Sequence, residues 1–235
     1  MNSNKLRNLP STRRPVVEQL VRSLRGVRPG NRALIAVDGV DGAGKTMLAD
    51  ELVELAAEDD GRNLANLSID GFHFPKARRY ARGVGPETFY RDSYDYDAFI
   101  DSVISPFRTG GSPVRAIWDV DADEPLPTTR LSLPADCVLL VDGIFLHRSE
   151  LRDLWDASIW IDVPFDVSVP RGGERFAGDH DPDPEGASNR RYVGGQRLYF
   201  DECAPWERAT WVVDNTDLAR PRLRSTRHPD PDMRD

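Results

Sequence analysis

Apolar and polar positions along the chain follow two different patterns. Short, almost continuous apolar runs are typical of parallel strands that are buried on both faces. Such runs predict six strands, over residues 33–37, 64–69, 114–118, 137–141, 159–163 and 211–213. Longer amphipathic segments predict helices over residues 15–24, 45–57, 96–105 and 190–202. Strands and helices in this order predict an α/β fold with a doubly wound, mainly parallel sheet flanked by helices.

Domain organisation follows from length and from the two ends. A chain of 235 residues suffices for one domain with a packed core, which we expect over residues 14–218. Residues 1–13 lack an apolar period, and residues 219–235 are charged and interrupted by proline. Both ends are therefore expected to be flexible tails.

Composition and charge exclude several classes of protein. The chain has 39 Asp and Glu against 31 Lys and Arg, a net charge of −8, which disfavours nucleic acid and anionic membranes as partners. No apolar run approaches the ~20 residues that span a bilayer, and the N-terminus lacks a signal-peptide stretch. Two cysteines are too few for a disulfide framework. The sequence predicts a cytoplasmic protein and leaves a homo-oligomer open.

A glycine-rich segment between the first strand and the next helix carries the clearest chemistry. It matches G-x-x-x-x-G-K-[ST] in full with Gly39, Val40, Asp41, Gly42, Ala43, Gly44, Lys45 and Thr46. Glycines let consecutive backbone N–H groups converge on phosphate oxygens at a helix N-terminus. Lys45 would add charge at the β- and γ-phosphates, and the Thr46 hydroxyl would ligate Mg²⁺. We expect ATP and Mg²⁺ as cofactors; the alternative is a glycine-rich turn that only caps a helix.

Two further carboxylates follow predicted strands. Asp142 ends the run at 137–141 and is expected to hold Mg²⁺, and Asp70 follows the run at 64–69. Ligands of open α/β sheets bind beyond the carboxyl ends of the strands, so both should face one crevice with the glycine-rich loop. Asp70 could there accept the proton of a substrate hydroxyl. The alternative is that Asp70 caps a turn before Gly71. No guanine-reading Asn-Lys-x-Asp element is present, which disfavours a GTPase.

Four segments together resemble a known family. They are GVDGAGKT (39–46), SIDGFHFP (68–75), GPETFYRDSYDYDAF (85–99) and LLVDGIFLHRSELRDLWD (139–156). They are similar to the uridine kinase, phosphoribulokinase and pantothenate kinase family of P-loop kinases, and most of all to its uridine kinase-like members. The resemblance covers about residues 30–217. It implies the P-loop NTPase fold with a lid segment, and it implies that Asp70 is the general base.

The resemblance also implies positions on the acceptor side of the site. Trp118 and Asp119 stand where these kinases line the acceptor site, and Tyr90 and Arg91 should lie near the same pocket. His73 could hydrogen-bond an acceptor. Aromatic residues here could stack on a nucleobase, and ordinary packing under a loop is the alternative.

A lid over the phosphates is implied for about residues 165–200. The resemblance gives Arg171 a role in nucleotide binding, Arg175 a catalytic role and Arg191 a role at the acceptor. Pro170 and the two glycines at 172–173 oppose a helix, so the lid helix is predicted to be broken or to start late.

Several functions remain open at this point. The leading hypothesis is a kinase that transfers the γ-phosphate of ATP to a hydroxyl of a small-molecule acceptor, a nucleoside such as uridine or cytidine. Pantothenate or a sugar is the alternative acceptor. A protein of another class, a regulator that binds ATP without transferring phosphate, would fit an interrupted lid.

Overall fold

The apolar runs form the central strands of one sheet in the computed structural model, which describes residues 10–174 and 181–225. Eight strands are present in this part of the chain: β1 (Ala33–Gly39), β2 (Asn63–Ser68), β3 (Trp118–Asp119), β4 (Glu124–Pro125), β5 (Cys137–Gly143), β6 (Ala157–Asp162), β7 (Trp211–Asp214) and β8 (Arg222–Ser225). Six of them form the main sheet in the order β2-β5-β1-β6-β7-β8. Five of the six are parallel, and β8 runs antiparallel to β7. The predicted mainly parallel sheet is confirmed.

Helices follow or connect most strands. They are α1 (Arg14–Arg25), α2 (Lys45–Ala56), α3 (Lys76–Arg79), α4 (Pro86–Asp92), α5 (Tyr96–Phe99), α6 (Ser105–Arg108), α7 (Phe165–Gly173), α8 (Arg190–Cys203) and α9 (Pro205–Arg208). A short 3₁₀ turn covers Ile69–Phe72, and a π turn at Ile100–Ile104 joins α5 to α6. All four predicted helices are therefore present. No helix in residues 10–174 and 181–225 has the length and apolar character needed to span a membrane.

Burial explains why the central strands form, and their register explains where a site can lie. Every residue of β1 and β5 is buried. Asp142 at the end of β5 is the Cα partner of Ser68 in β2 and of Val37 in β1. The carboxyl ends of these three strands therefore open onto one edge of the sheet.

The predicted strand over residues 114–118 is wrong. Its last residue begins a separate two-stranded hairpin, in which β3 pairs antiparallel with β4. Within this run only Val114 is buried. The run therefore lacks the continuous burial that a central strand of the sheet has. The segment instead crosses the 3₁₀ turn, where the Ile117 N–H donates to the Gly71 carbonyl at 2.8 Å.

Parts of both expected tails are ordered. Arg13 is buried with 2% exposure, because Glu51 and Asn215 accept hydrogen bonds from its guanidinium. At the other end β8 extends the sheet beyond residue 219. Its sequence, RLRS, is that of a polar edge strand and lacks an apolar signal. Residues 1–9 and 226–235 lie outside the described residues, and the boundary of one domain over 14–218 stays a prediction.

The predicted break in the lid helix is wrong as well. Helix α7 runs without interruption from Phe165 to Gly173 through Pro170. A proline removes one hydrogen bond from a helix interior, and both glycines occupy the last two positions, where little helix follows. This end of α7 lies against Gly42 of the glycine-rich loop, and the missing side chain at Gly42 permits the close packing there.

Candidate active site

The glycine-rich loop has the shape that phosphate binding requires. It connects β1 to α2, and Gly42 and Gly44 adopt positive φ angles of 74° and 89°. A Cβ at Gly42 would overlap the Ser168 carbonyl oxygen, and a Cβ at Gly44 would come within 3.0 Å of the Asn215 amide nitrogen. Only glycine fits both positions. The loop therefore presents its backbone at the N-terminus of α2, as the sequence predicted.

Contacts from distant parts of the chain hold this loop in place. The Asn215 side chain donates to the Ala43 carbonyl at 2.7 Å and accepts from the buried Arg13 at 2.9 Å. The Gln196 side chain of α8 accepts from the Asp41 N–H at 2.7 Å. The sequence did not predict these contacts of Arg13, Gln196 and Asn215. Gln196 alone could have been noticed, because it is a polar residue on the buried side of an amphipathic helix.

A buried polar cluster lies directly behind the loop. Asp38, at the end of β1, has no exposed surface and accepts from the hydroxyl of Tyr199 in α8. His147 lies between Asp38 and Ser158, with its ring nitrogens 2.7 and 2.8 Å from their side-chain oxygens. Because α8 contributes both Tyr199 and Gln196, this helix fixes the beginning of the phosphate loop from two sides.

Thr46 and Asp142 fit the metal site that the sequence predicted. The Thr46 hydroxyl donates to Asp142 Oδ2 at 2.7 Å. Asp142 is 2% exposed, and burial raises the pKa of its carboxyl to about 6, partly offset by the Thr46 hydrogen bond. A divalent cation would offset the cost of burying this charge. Mg²⁺ takes one or two protein oxygen ligands together with phosphate oxygens, so this pair suits it.

Asp70 lies at the open edge of the same crevice. Its carboxylate is exposed, and Oδ1 accepts a hydrogen bond from the Tyr94 hydroxyl at 2.8 Å. The cap of the 3₁₀ turn is Ser68, whose hydroxyl accepts from the Asp70 N–H. The Asp70 side chain is therefore available for chemistry. Tyr94 was not predicted, although it stands in the same FYRDSYD segment as Tyr90.

The predicted phosphate, metal and base residues line one pocket. Its walls are formed by Asp41, Gly42, Gly44, Lys45, Thr46, Asp70, Asp142, Gly143 and Ile144. Gly39, Val40 and Ala43 complete the loop behind these walls. Lys45 Nζ donates to the Val40 carbonyl at 2.8 Å. The amine therefore lies against the loop to which phosphates would bind.

The predicted acceptor residues near Asp70 are only partly at the site. His73 Nδ1 lies 2.8 Å from the Asp70 carbonyl oxygen, and burial lowers the pKa of its ring. Nδ1 is therefore the donor, which leaves Nε2 as an acceptor. Trp118 Nε1 donates to Asp123 in the hairpin, and the Asp119 carboxylate accepts from two backbone N–H groups of the hairpin turn. Asp119 therefore shapes the hairpin.

Tyr90 and Arg91 do not line the pocket. Tyr90 is 1% exposed, packs edge-on against Phe145 at 5.1 Å and donates to Glu202 at 3.0 Å. Arg91 forms ion pairs with Glu87 and Glu202. Helices α4 and α8 pack closely together here, and this packing takes both side chains away from the crevice. Their predicted acceptor role is corrected to a structural one.

Two of the three lid arginines lie within the described residues, and their surroundings differ. Arg171 donates to the carbonyls of Asn215 and Thr216, next to the phosphate loop. Arg191 donates to the Tyr80 hydroxyl at 3.0 Å and lines a second cavity between the beginnings of α4 and α8. Arg175 lies outside the described residues.

The phosphate loop and the two carboxylates at the strand ends indicate the class of protein. A phosphate loop that opens α2 beyond the first strand of a parallel sheet defines a P-loop nucleotide-binding fold. A carboxylate beside the loop threonine and a second carboxylate at the neighbouring strand end are the parts that P-loop kinases need for metal and acceptor. The fold is that of the P-loop kinases.

Similar proteins agree with this class. A uridine kinase of Leuconostoc citreum (strain KM20) is 25% identical over 190 residues, which are 80% of this chain and 88% of that enzyme. A pantothenate kinase of Clavibacter michiganensis subsp. michiganensis (strain NCPPB 382) is 25% identical in an alignment of 211 positions that covers 83% of this chain and 63% of that enzyme. The solved structure of a possible uridine kinase from Bacillus stearothermophilus has a TM-score of 0.68 at 20% identity, covering 85% of this chain and 97% of that one.

No protein-family model matches the chain. The expected resemblance to uridine kinase and pantothenate kinase is nevertheless confirmed by these relatives. They and the site together indicate a small-molecule kinase that uses a P-loop to bind its nucleotide.

Proposed function

We propose that this protein transfers the γ-phosphate of ATP to a hydroxyl group of a nucleoside of the uridine or cytidine type. The observation that carries the proposal is the position of Asp70. Its exposed carboxylate lines the same pocket as Lys45 and the Thr46–Asp142 pair. A base, a phosphate-binding cation and a metal-binding pair are thus brought together at one edge of the sheet.

The phosphate side of the mechanism uses the loop and its lysine. Backbone N–H groups of residues 39–46 would bind the phosphate oxygens. The Lys45 amine would leave the Val40 carbonyl and donate to the phosphate oxygens instead. Thr46 and Asp142 would hold Mg²⁺, which supplies positive charge to neutralise the phosphates. Arg171, already beside the loop, would contact the nucleotide, and Arg175 of the lid segment would act on the transferring group.

The acceptor side uses Asp70 as general base. The acceptor O–H gives its proton to the Asp70 carboxylate as its oxygen bonds to the γ-phosphorus. The bond from that phosphorus to the β–γ bridging oxygen breaks, and ADP leaves with the electron pair. His73 Nε2 would accept from a second acceptor hydroxyl, and the half-buried Trp118 ring would offer an apolar face to a nucleobase. Arg191 would contribute to the acceptor side.

Pantothenate is the second candidate acceptor, because a pantothenate kinase matches 83% of this chain. The hypothesis of a regulator without catalysis depended on an interrupted lid helix. The continuous α7 removes that support.

A coupled ADP-release assay with MgATP and a panel of uridine, cytidine, pantothenate and fructose tests the proposal. We expect the highest kcat/KM with a nucleoside and a loss of acceptor-dependent turnover in Asp70→Asn. A higher kcat/KM with pantothenate or fructose would replace the nucleoside in the proposal. ADP release that no acceptor stimulates would refute a kinase acting on this panel.

A further inference from the structure

Tyr94 stands opposite the catalytic turn because backbone pairing puts it there. The Phe74 N–H donates to the Ser93 carbonyl at 2.9 Å, and the Asp95 N–H donates to the Phe72 carbonyl at 2.8 Å. These two bonds pair His73 with Tyr94 in an antiparallel bridge. The side chain of Tyr94 is thereby fixed next to the turn that carries Asp70, independently of its own hydroxyl.

The ring of Tyr94 is buried and its hydroxyl reaches the proposed base. Tyr94 is 3% exposed, and its ring centroid lies 4.3 Å from that of His73 and 6.0 Å from that of Tyr96. Its hydroxyl donates to Asp70 Oδ1 at 2.8 Å. The Asp70 carboxylate itself is exposed, so this bond is the contact that restricts its rotation within the described residues.

We propose that Tyr94 is a positioning residue for Asp70: its hydroxyl occupies Oδ1 and directs Oδ2 toward the acceptor hydroxyl. This inference rests on the proposed function, since it assigns Tyr94 a role only if Asp70 is the base. Without the Tyr94 bond an exposed carboxylate samples several rotamers, and its oxygen meets the acceptor less often in the reactive orientation. Tyr94 is not among the residues that line the phosphate pocket, so we expect nucleotide binding to change little when this bond is lost.

The proton inventory is consistent with this role. Burial, together with the negative charge of Asp70, raises the pKa of Tyr94 well above its usual range. The hydroxyl therefore keeps its proton and stays a donor before and after transfer. The proton of the acceptor goes to Asp70 Oδ2, and Tyr94 neither gains nor loses one.

Tyr94→Phe tests the inference, with Tyr96→Phe as matched control. Both variants remove one hydroxyl from a buried tyrosine of the same segment, and within the described residues only that of Tyr94 bonds to Asp70. With the best acceptor of the panel, Tyr94→Phe should lower kcat about ten- to a hundredfold and leave the KM for ATP within about twofold of wild type. Tyr96→Phe should retain most of kcat. A Tyr94→Phe kcat equal to that of the control would overturn the proposal.

A double-mutant cycle separates positioning from a structural role. In the Asp70→Asn background there is no base to position, so adding Tyr94→Phe should reduce the residual kcat less than about twofold. An undiminished effect in that background would show that Tyr94 acts through the fold and would overturn the proposal. If Tyr94→Phe fails to fold, Tyr94→4-aminophenylalanine decides, because it keeps the ring and an N–H donor. Near-wild-type kcat then supports positioning by a donor, and loss of kcat in this folded variant overturns it.

Failure of the proposed function has a different signature. In that case wild type itself shows no acceptor-dependent ADP release, whereas failure of the Tyr94 inference leaves wild type active and removes only the difference between the two Tyr→Phe variants.

Discussion

Asp142→Asn should stabilise the metal-free protein at pH 8 while weakening its binding of the Mg²⁺–nucleotide complex. The carboxyl ends β5 with 2% exposure, and burial is the main cause of its raised pKa. An asparagine has nearly the same shape, and its amide oxygen can still accept the hydrogen bond from Thr46. The substitution therefore removes a buried charge with little change in packing.

The sign and size of the effect follow from linkage. The pKa of this carboxyl is about 6 in the folded protein against an ordinary value of 3.8. Between these two values the folded state binds more protons than the unfolded state, so wild-type stability falls as the pH rises through this window. The difference corresponds to about 3 kcal/mol, and about 2–3 kcal/mol of it develops between roughly pH 4 and pH 8. Asparagine does not titrate there, so the variant gains that amount relative to wild type.

Thermal unfolding followed by circular dichroism in EDTA, from pH 4 to pH 8, measures this gain. For a chain of this size it should raise the Tm difference between variant and wild type by about 5–10 °C across the range. Asp153→Asn, at a side chain that is 86% exposed, is the control and should show no such change. A variant less stable than wild type at pH 8, or a Tm difference that does not change with pH, would refute the reasoning. With MgATP added, wild type should gain more Tm than the variant.

Three further substitutions test the site. Lys45→Ala should abolish acceptor-dependent ADP release with Tm within about 3 °C of wild type, because the amine contacts loop backbone and not the core; normal turnover would contradict this. Asp70→Asn should bind ATP in calorimetry like wild type and lower kcat about 10²–10⁴-fold, and a loss under tenfold would exclude a general base. Gly42→Ala should abolish nucleotide binding, because its Cβ would overlap the Ser168 carbonyl oxygen. Gly83→Ala is its control: φ is +105°, nothing lies within 4 Å, and the cost should be roughly 1–3 kcal/mol without loss of binding.

A strand could be predicted when its own residues carried the signal, and could not when only its pairing partner determined it. The central strands β1 and β5 are buried on both faces, so the apolar signal is contained in each strand alone. The polar edge strand β8 and the hairpin of β3 and β4 have no such signal, since their pairing partners determine them.

The same distinction holds at the site. The phosphate loop was predictable from its local glycine pattern, and the positions of Asp70 and Asp142 follow from the rule for the ends of parallel strands. Tyr94 lies 24 residues from Asp70, and Gln196 lies 155 residues from Asp41. Such contacts depend on how helices and turns pack together. The sequence motifs therefore predicted the residues expected to carry the chemistry, and they did not predict the residues that hold them in place.

The close packing of Gly42 against α7 limits how this protein can be recombined. A Cβ at Gly42 would overlap the Ser168 carbonyl and come within 2.9 Å of the Gly172 nitrogen, so the loop and α7 share one steric boundary. A chimera that takes residues 39–46 from a relative must keep glycine at position 42. A chimera that takes residues 165–173 must keep the backbone of α7 where it is, because the Ser168 carbonyl and the Gly172 nitrogen lie against Gly42. Gly42 and Ser168 are 126 residues apart in the chain, so an exchange of either segment changes a contact that the sequence alone does not reveal.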